Sequence, residues 1–413
     1  MDASRDMTLF NISIPNEYMD ELQSLFLDPD IAAIVNGSSN ASLESLLLGD
    51  RTSVFRKLIH YLDLYLVPVI ALVGLIGNVL SFVVFVGTYI RHLSSSIYLA
   101  ALSVADSGFL LCILVSWGVN SGLDLFTQNG WCQTFIYLTY VSTFLSVWYV
   151  VAFTVERYIA VHFPLKRQEL CTTRRAKFVV VSLAVLAAVL YVFGTWTSGV
   201  TFYFDTSDPM CGPLAQYLAL VSIINHLDTV ITLILPFIAI LVMNLKIAGK
   251  VVQFYRDRKD LALDQTTETS DKGTSYQRVC RIQASTKTRA LYTRTQVRVT
   301  KMLLTVSTMF LLLNLPRHTT RTYLFFKTLT DEKYQPTRSY VNWQRLFELL
   351  YYMHFSVNLF LYTTMGKNFR KALIWLCKRI KYNICEYWSK WTYHCTVCMG
   401  YKSTSQDMNR QFV

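Results

Sequence analysis

From Leu64 to Ile90 the chain carries no charged side chain, and from Gly130 to Val155 and from Phe178 to Phe204 it again carries none. Leu93 to Val119 is interrupted only by Asp106, and Leu214 to Leu245 only by Asp228, with His226 nearby. Each run exceeds the roughly 20 mostly apolar residues that a helix needs to cross hydrocarbon. A sixth run, Met302 to Pro316, has fifteen residues before Arg317, and a seventh, Leu349 to Gly366, has eighteen, so both need flanking residues to complete a crossing. The expected fold is an all-α membrane protein, a seven-transmembrane-helix bundle. Of 413 residues 53% are apolar and 16% charged, against ~25% charged in soluble proteins, which argues against a disordered chain or a soluble multidomain enzyme.

The charge is +12 overall but unevenly placed. Residues 1–57 hold nine acids and four bases, residues 248–299 eleven bases and five acids, and residues 364–413 nine bases and two acids. Basic loops after spans one, three and five and a basic tail point to the cytoplasm rather than to nucleic acid, which orients the N-terminus outside. No removable signal peptide is apparent, so the first span is expected to act as its own signal. Glycosylation sequons at Asn11, Asn36 and Asn40 fall in the acidic segment expected outside. On this topology Cys132 and Cys211 are the cysteines on the oxidising side. A bridge between them would pin the loop joining spans four and five over the bundle mouth; the alternative is two free thiols.

Ionisable groups inside a bilayer mark function by default. Asp106 lies mid-span two, where Asn78, Ser146 and Asn358 could face it. Such a cluster could hold Na⁺ or a proton, or serve as a hydrogen-bonded knot between helices. Glu156-Arg157-Tyr158 stands at the inner end of span three, where the bland reading is a snorkelling interfacial pair.

Gly74-Leu75-Ile76-Gly77-Asn78, Leu102-Ser103-Val104-Ala105-Asp106, Glu156-Arg157-Tyr158, Pro236, Pro316 and Asn358-Leu359-Phe360-Leu361-Tyr362 together resemble the helix signatures of rhodopsin-like (class A) G-protein-coupled receptors. The Cys132 and Cys211 pair matches that family too. The resemblance implies that Arg157 meets a heterotrimeric G protein once helix six, kinked at Pro316, swings outward. Departures stand at Asn314 for the family's Trp, at Leu359 for Pro, at Asn244 for Tyr, and at Gln296 for the acid that locks the Arg in some relatives. Helix four also lacks its usual central Trp. Weaker locking would permit basal activity. Leu313-Asn314-Leu315-Pro316 together with the seventh-helix motif resembles invertebrate neuropeptide receptors.

Helix seven, about Asn342 to Thr363, contains no Lys, and Tyr352 stands where opsins carry one, so a retinal Schiff base is excluded. Thr139 stands where amine receptors place an Asp. The outer half instead offers Asp228 about 12 Å above Pro236, with Arg317 and Arg321 just beyond Pro316. With Asn120, Thr139, Asn225, His318, Trp343 and Glu348, and with Tyr140 and Phe347 for apolar residues, these suit a peptide. The bland reading is that Asp228 and Arg321 neutralise each other or snorkel to the surface. Phe202 to Met210 reads as a hairpin lid tied by Cys211.

The expected organisation is an extracellular glycosylated tail at 1–60, a bundle at 61–366 with a third cytoplasmic loop at 250–298, and an amphipathic helix and tail at 367–413. Loop three reads as disordered in its middle. Thr266, Thr267, Thr269 and Ser270, with Ser403 to Ser405, could recruit an arrestin once phosphorylated. The basic amphipathic run after Gly366 suits inner-leaflet lipid, with Cys377 and Cys385 as palmitoylation candidates. Cys395 and Cys398 form only half a zinc set, so no metal site is expected. The whole reads as a plasma-membrane peptide receptor without enzymatic motifs or cofactor beyond a possible Na⁺; the competing class is a seven-span ion-translocating transporter or channel, against which no inverted repeat is found.

Overall fold

A computed structural model describes residues 55–203, 206–267, 304–324, 326–327, 330 and 336–391. The three sequons, Gln296, Thr269 and Ser270, and the tail beyond Trp391 lie outside them. Seven helices form a bundle: α1 (Phe55–Gly87), α2 (Ser94–Gly118), α3 (Trp131–His162), α4 (Thr173–Leu190), α5 (Leu218–Thr229, then Leu235–Thr267), α6 (304–324) and α7 (Arg338–Ser356, then Asn358–Met365). An eighth, α8 (Lys367–Trp391), follows. Among the described residues, five helices are long and apolar enough to cross a bilayer. The two short apolar runs gain their length as expected, since α6 runs on past Arg317 and α7 begins well before Leu349.

Two boundaries differ from the sequence reading. The charge-free residues Ser198 to Tyr203 leave the fourth span and form strand β1 (Ser198–Tyr203), paired antiparallel with β2 (Thr206–Pro213), Val200 opposite Cys211. Val, Thr, Phe and Tyr suit a pleated strand, and the Gly199 Cα lies so near Leu214 that a Cβ there would come within 2.9 Å of its Cδ2. The expected hairpin is thus present, longer than Phe202 to Met210. At the other end, α5 runs to Thr267 rather than yielding to loop at Lys250. After Gly249 the sequence offers Arg, Lys, Leu, Ala and Gln with no Gly or Pro, so nothing stops the helix.

The innermost packing is between α1, α2, α3 and α7. Gly74 and Gly77 explain how α7 comes so close: a Cβ on Gly74 would stand 2.5 Å from Leu110 Cδ1 and 2.7 Å from Ser356 Cβ, and one on Gly77 would stand 3.2 Å from Leu359 Cβ. In lipid such small residues let helix backbones approach. Beside them Asn78 Nδ2 donates to the Phe355 carbonyl at 2.8 Å, two residues before α7 is interrupted at Val357. By contrast α4 buries only Ala176 and Ala187 and presents Val181, Val185 and Val189 outward.

A disulfide joins Cys132, at the start of α3, to Cys211 in β2, fixing the hairpin to the bundle. At the opposite end Arg370 Nη1 donates to the carbonyls of Thr363 (3.2 Å) and Thr364 (2.9 Å), capping α7 from α8. Phe369, Ala372 and Leu376 bury one face of α8, while Ile374, Ile380 and Ile384 stay exposed. Replacing Gly74 with Val is expected to force α1 from α2 and α7, an overpacking cost of about 1–3 kcal/mol. Detergent-extracted Gly74→Val should unfold several degrees below wild type; an unchanged midpoint would mean that the helices are not seated against this glycine.

Candidate ligand-binding and signalling sites

Between α1, α2, α3, α5, α6 and α7 lies a cavity whose wall combines Asp63, Asp228 and Glu348 with Arg317 and Arg321, among aromatic residues including Phe109, Trp117, Tyr351 and Tyr352. Of the residues expected to meet a ligand, Asn120, Thr139, Tyr140, Asp228, His318, Arg321 and Glu348 line it. Asn225, Trp343 and Phe347 do not. Asn225 is buried behind Tyr140 and accepts its hydroxyl at 2.9 Å. Trp343 faces Phe55 of α1 at 5.5 Å between ring centroids and contacts Phe347 at 5.9 Å, because α7 turns that side toward α1.

The bland alternative, Asp228 paired with Arg321, is not found: among the described residues the salt bridges of this wall are Arg317 with Glu348 at 4.0 Å and Arg345 with Asp63 at 3.9 Å. Asp228 instead accepts a hydrogen bond from the Tyr191 hydroxyl at the end of α4, whose ring stacks on Tyr140. Tyr191 lay inside a charge-free run, and only the meeting of α3, α4 and α5 shows that it holds an acid. Arg317 lies 4.0 Å over the Tyr351 ring. His318 is buried with no partner for Nδ1 among the described residues, and Thr139 turns its hydroxyl to the Phe135 carbonyl at 2.7 Å.

Two π-helical turns, Leu62–Leu66 and Val230–Ile234, lie beside the acids of α1 and α5. Asp63 sits within the first and Thr232, which lines the cavity, within the second. Such turns rotate the helix face beyond them and recur at functional sites. The Trp117 indole donates to the Leu64 carbonyl at 3.0 Å, bracing the first turn against α2. On the hairpin side, Cys211 packs with Cys112, Phe126 and Phe135, and Cys112 and Phe126 are cavity residues, so the disulfide borders the site directly.

Deeper in the bundle Asp106 is fully buried. The Ser146 hydroxyl donates to one of its oxygens at 2.6 Å and the Asn358 amide to the other at 2.5 Å, joining α2, α3 and α7. Asn78 belongs to the same layer but spends its amide on Phe355, leaving its Oδ1 without a partner among the described residues. Tyr362 is buried between Phe85 and Phe369, its hydroxyl unpaired among the described residues.

At the inner end Arg157 Nη2 meets Glu156 Oε1 at 3.0 Å, both side chains less than a tenth exposed. The hydroxyls of Ser94 (2.9 Å) and Ser95 (3.0 Å) donate to the same oxygen. The pair is therefore a braced ion pair, not a snorkelling one. Tyr158 stacks on His162 at 4.2 Å. In the following loop, burial, with the Glu156 charge adding, pushes the Cys171 thiol up, so it stays protonated and donates to the Glu156 carbonyl at 3.7 Å. Asn314 folds back on the Phe310 carbonyl at 2.7 Å, two residues before Pro316, and Asn244 Nδ2 donates to Ser307 Oγ at 2.7 Å, linking α5 to α6. Cys377 is exposed on α8, and Cys385 lies on the same helix.

Residues 77–362 match the family model of the 7 transmembrane receptor (rhodopsin family). The thyrotropin-releasing hormone receptor of Gallus gallus is 28% identical over 322 residues, covering 76% of this chain and 77% of the relative; that of Homo sapiens is 28% identical over 326, with the same shares. The cysteinyl leukotriene receptor 1 of Homo sapiens is 30% identical over 151 residues, 35% of this chain and 43% of the relative. Seven helices, the buried Asp106 centre, the Glu156-Arg157 pair and the matched span agree: the chain belongs to the rhodopsin family of seven-transmembrane receptors.

Proposed function

We propose that this receptor binds an extracellular peptide, of neuropeptide kind, in the cavity between α1, α2, α3, α5, α6 and α7 and passes the signal to a heterotrimeric G protein at Arg157. The observation that carries the ligand class is the wall itself: acids and guanidiniums interleaved with aromatic rings, with Arg321 lacking a hydrogen-bond or carboxylate partner among the described residues. A peptide supplies both charge signs and apolar side chains in one molecule. Similarity to a receptor named for a releasing hormone favours the same reading. The family match speaks against the transporter alternative. On this reading the chain is a plasma-membrane protein with its glycosylated N-terminus outside, and the basic ends of loop three and the tail face the G protein, an arrestin and inner-leaflet lipid, with Cys377 and Cys385 as lipidation sites.

Calcium and cyclic AMP output in cells expressing the chain, challenged with a neuropeptide library, tests this. A potent agonist is expected, its response abolished in Arg157→Ala and its potency lowered more than about tenfold, ~1.4 kcal/mol, in Arg321→Ala. Potency within tenfold of wild type would remove Arg321 from recognition, and a ligand-gated current in a bilayer would restore the transporter reading.

Activation that swings α6 outward must part Asn244 from Ser307. A buried hydrogen bond contributes about 1 kcal/mol net, so Ser307→Ala should raise ligand-free signalling several-fold at matched surface expression. Signalling at the wild-type level would show that this bond does not hold α6.

A sodium ion at Asp106 is part of the proposal. The Asp106 carboxylate and Ser146 hydroxyl are oxygen donors of the kind a hard cation takes, while Asn358 presents its N–H₂ side. Sodium in place of choline is expected to lower agonist affinity in wild type and not in Asp106→Asn; equal sodium sensitivity in both would place the ion elsewhere.

A further inference from the structure

Asp63 and Glu348 reach one cavity from α1 and α7. Their nearest guanidinium nitrogens stand 3.9 Å and 4.0 Å away, on Arg345 and Arg317. Charge-assisted N–H···O bonds run ~2.7–2.9 Å, so neither base supplies one. Arg345 is a third exposed, at the outer lip, and Arg317 is engaged by the face of Tyr351. Among the described residues no hydrogen-bond donor reaches either carboxylate, although Glu348 is only 8% exposed. A buried carboxylate in that condition is costly until a donor arrives.

Asp63 is also held for presentation, since its π-helical turn is tied to α2 through Trp117. Across the cavity Arg321 lacks an acceptor among the described residues. The cavity's Asp63, Glu348 and Asp228 are balanced in charge by Arg317, Arg321 and the nearby Arg345, so a segment entering it is accommodated best when it is neutral overall but bipolar, with donors toward α1 and α7 and an acceptor toward α6.

We propose that Asp63 and Glu348 form a subsite for a cationic group of the ligand, the ammonium of a peptide N-terminus or the side chain of a Lys or Arg. This rests on the peptide reading of the same cavity and deepens it. Both groups carry several N–H donors and fit two carboxylates that have none.

The full-length chain in lipid nanodiscs, with three small probes at millimolar concentration, provides the test. Phenylalanine amide offers an α-ammonium, N-acetylarginine amide a guanidinium, and N-acetylphenylalanine amide neither. One or both cationic probes should raise the wild-type unfolding midpoint by about 2 °C, and the neutral probe should not. Which cation acts identifies its source. The shift should vanish in Asp63→Asn and Glu348→Gln and persist in Glu348→Asp. No shift with either cation, an equal shift with the neutral probe, or a shift retained in both neutral variants would overturn the subsite. Should a variant fail to fold, wild-type cells decide through the peptide library: N-acetylation, or replacement of Lys by norleucine and Arg by citrulline, should lower agonist potency more than about tenfold, and equal potency overturns the proposal. A library silent in every arm counts against the peptide reading, whereas the probe-induced shift decides the subsite separately.

Discussion

The Asp106 carboxylate in the middle of the bilayer, held between Ser146 of α3 and Asn358 of α7, sets the register of the three helices that everything else leans on. Hydrocarbon offers no water to satisfy a buried acid, so the helices carrying its donors must stay where they are or exchange them together. The close seating of α7 on the glycine face of α1, and the Asn78 bond to the Phe355 carbonyl, hold the same layer from the other side. The outer cavity and the inner ion pair are built on opposite ends of helices that this layer fixes.

The two ends manage charge differently. At the inner end Glu156 is saturated by Arg157, Ser94 and Ser95, an arrangement stable without a partner. At the outer end contacts between opposite charges are near 4 Å and, among the described residues, polar atoms such as His318 Nδ1 lack a hydrogen-bond partner, so the groups remain available. Tyr191 is the exception: it holds Asp228 by hydrogen bond and stacks on Tyr140, linking ligand-facing residues to α4. A site that keeps polar groups under-bonded in the free state is one that a polar ligand can complete.

The departures from the family's motifs find local answers. Leu359, in place of proline, leaves the interruption of α7 intact at Val357 and adds apolar contact against Gly77. Asn314, in place of Trp, turns back to its own helix, so the aromatic packing of this layer is taken by Phe310 and His354, whose rings meet edge to face at 5.0 Å. Asn244, in place of Tyr, reaches Ser307.

Charge-free run lengths alone determined five membrane crossings, because an apolar helix of that length has no other low-energy surroundings; the sixth and seventh runs are too short by themselves and reach crossing length only with the flanking residues that α6 and α7 add. Residue type and order likewise marked Asp106, Glu156-Arg157 and the Cys132 with Cys211 pair, since acids in lipid and cysteines on one face leave few alternatives. Which side each helix shows its neighbours was decided only by tertiary packing. Trp343 turned to Phe55 of α1, Asn225 went behind Tyr140, and Asp63, which no sequence expectation placed at the site, became part of the cavity wall. π-helical turns shift the face beyond them by a fraction of a turn, and no periodicity in a uniformly apolar run records that rotation. Asp228 found Tyr191 rather than Arg321 for the same reason: a hydrogen-bond partner is set by where two helix faces meet, and the chain between them carries no trace of it.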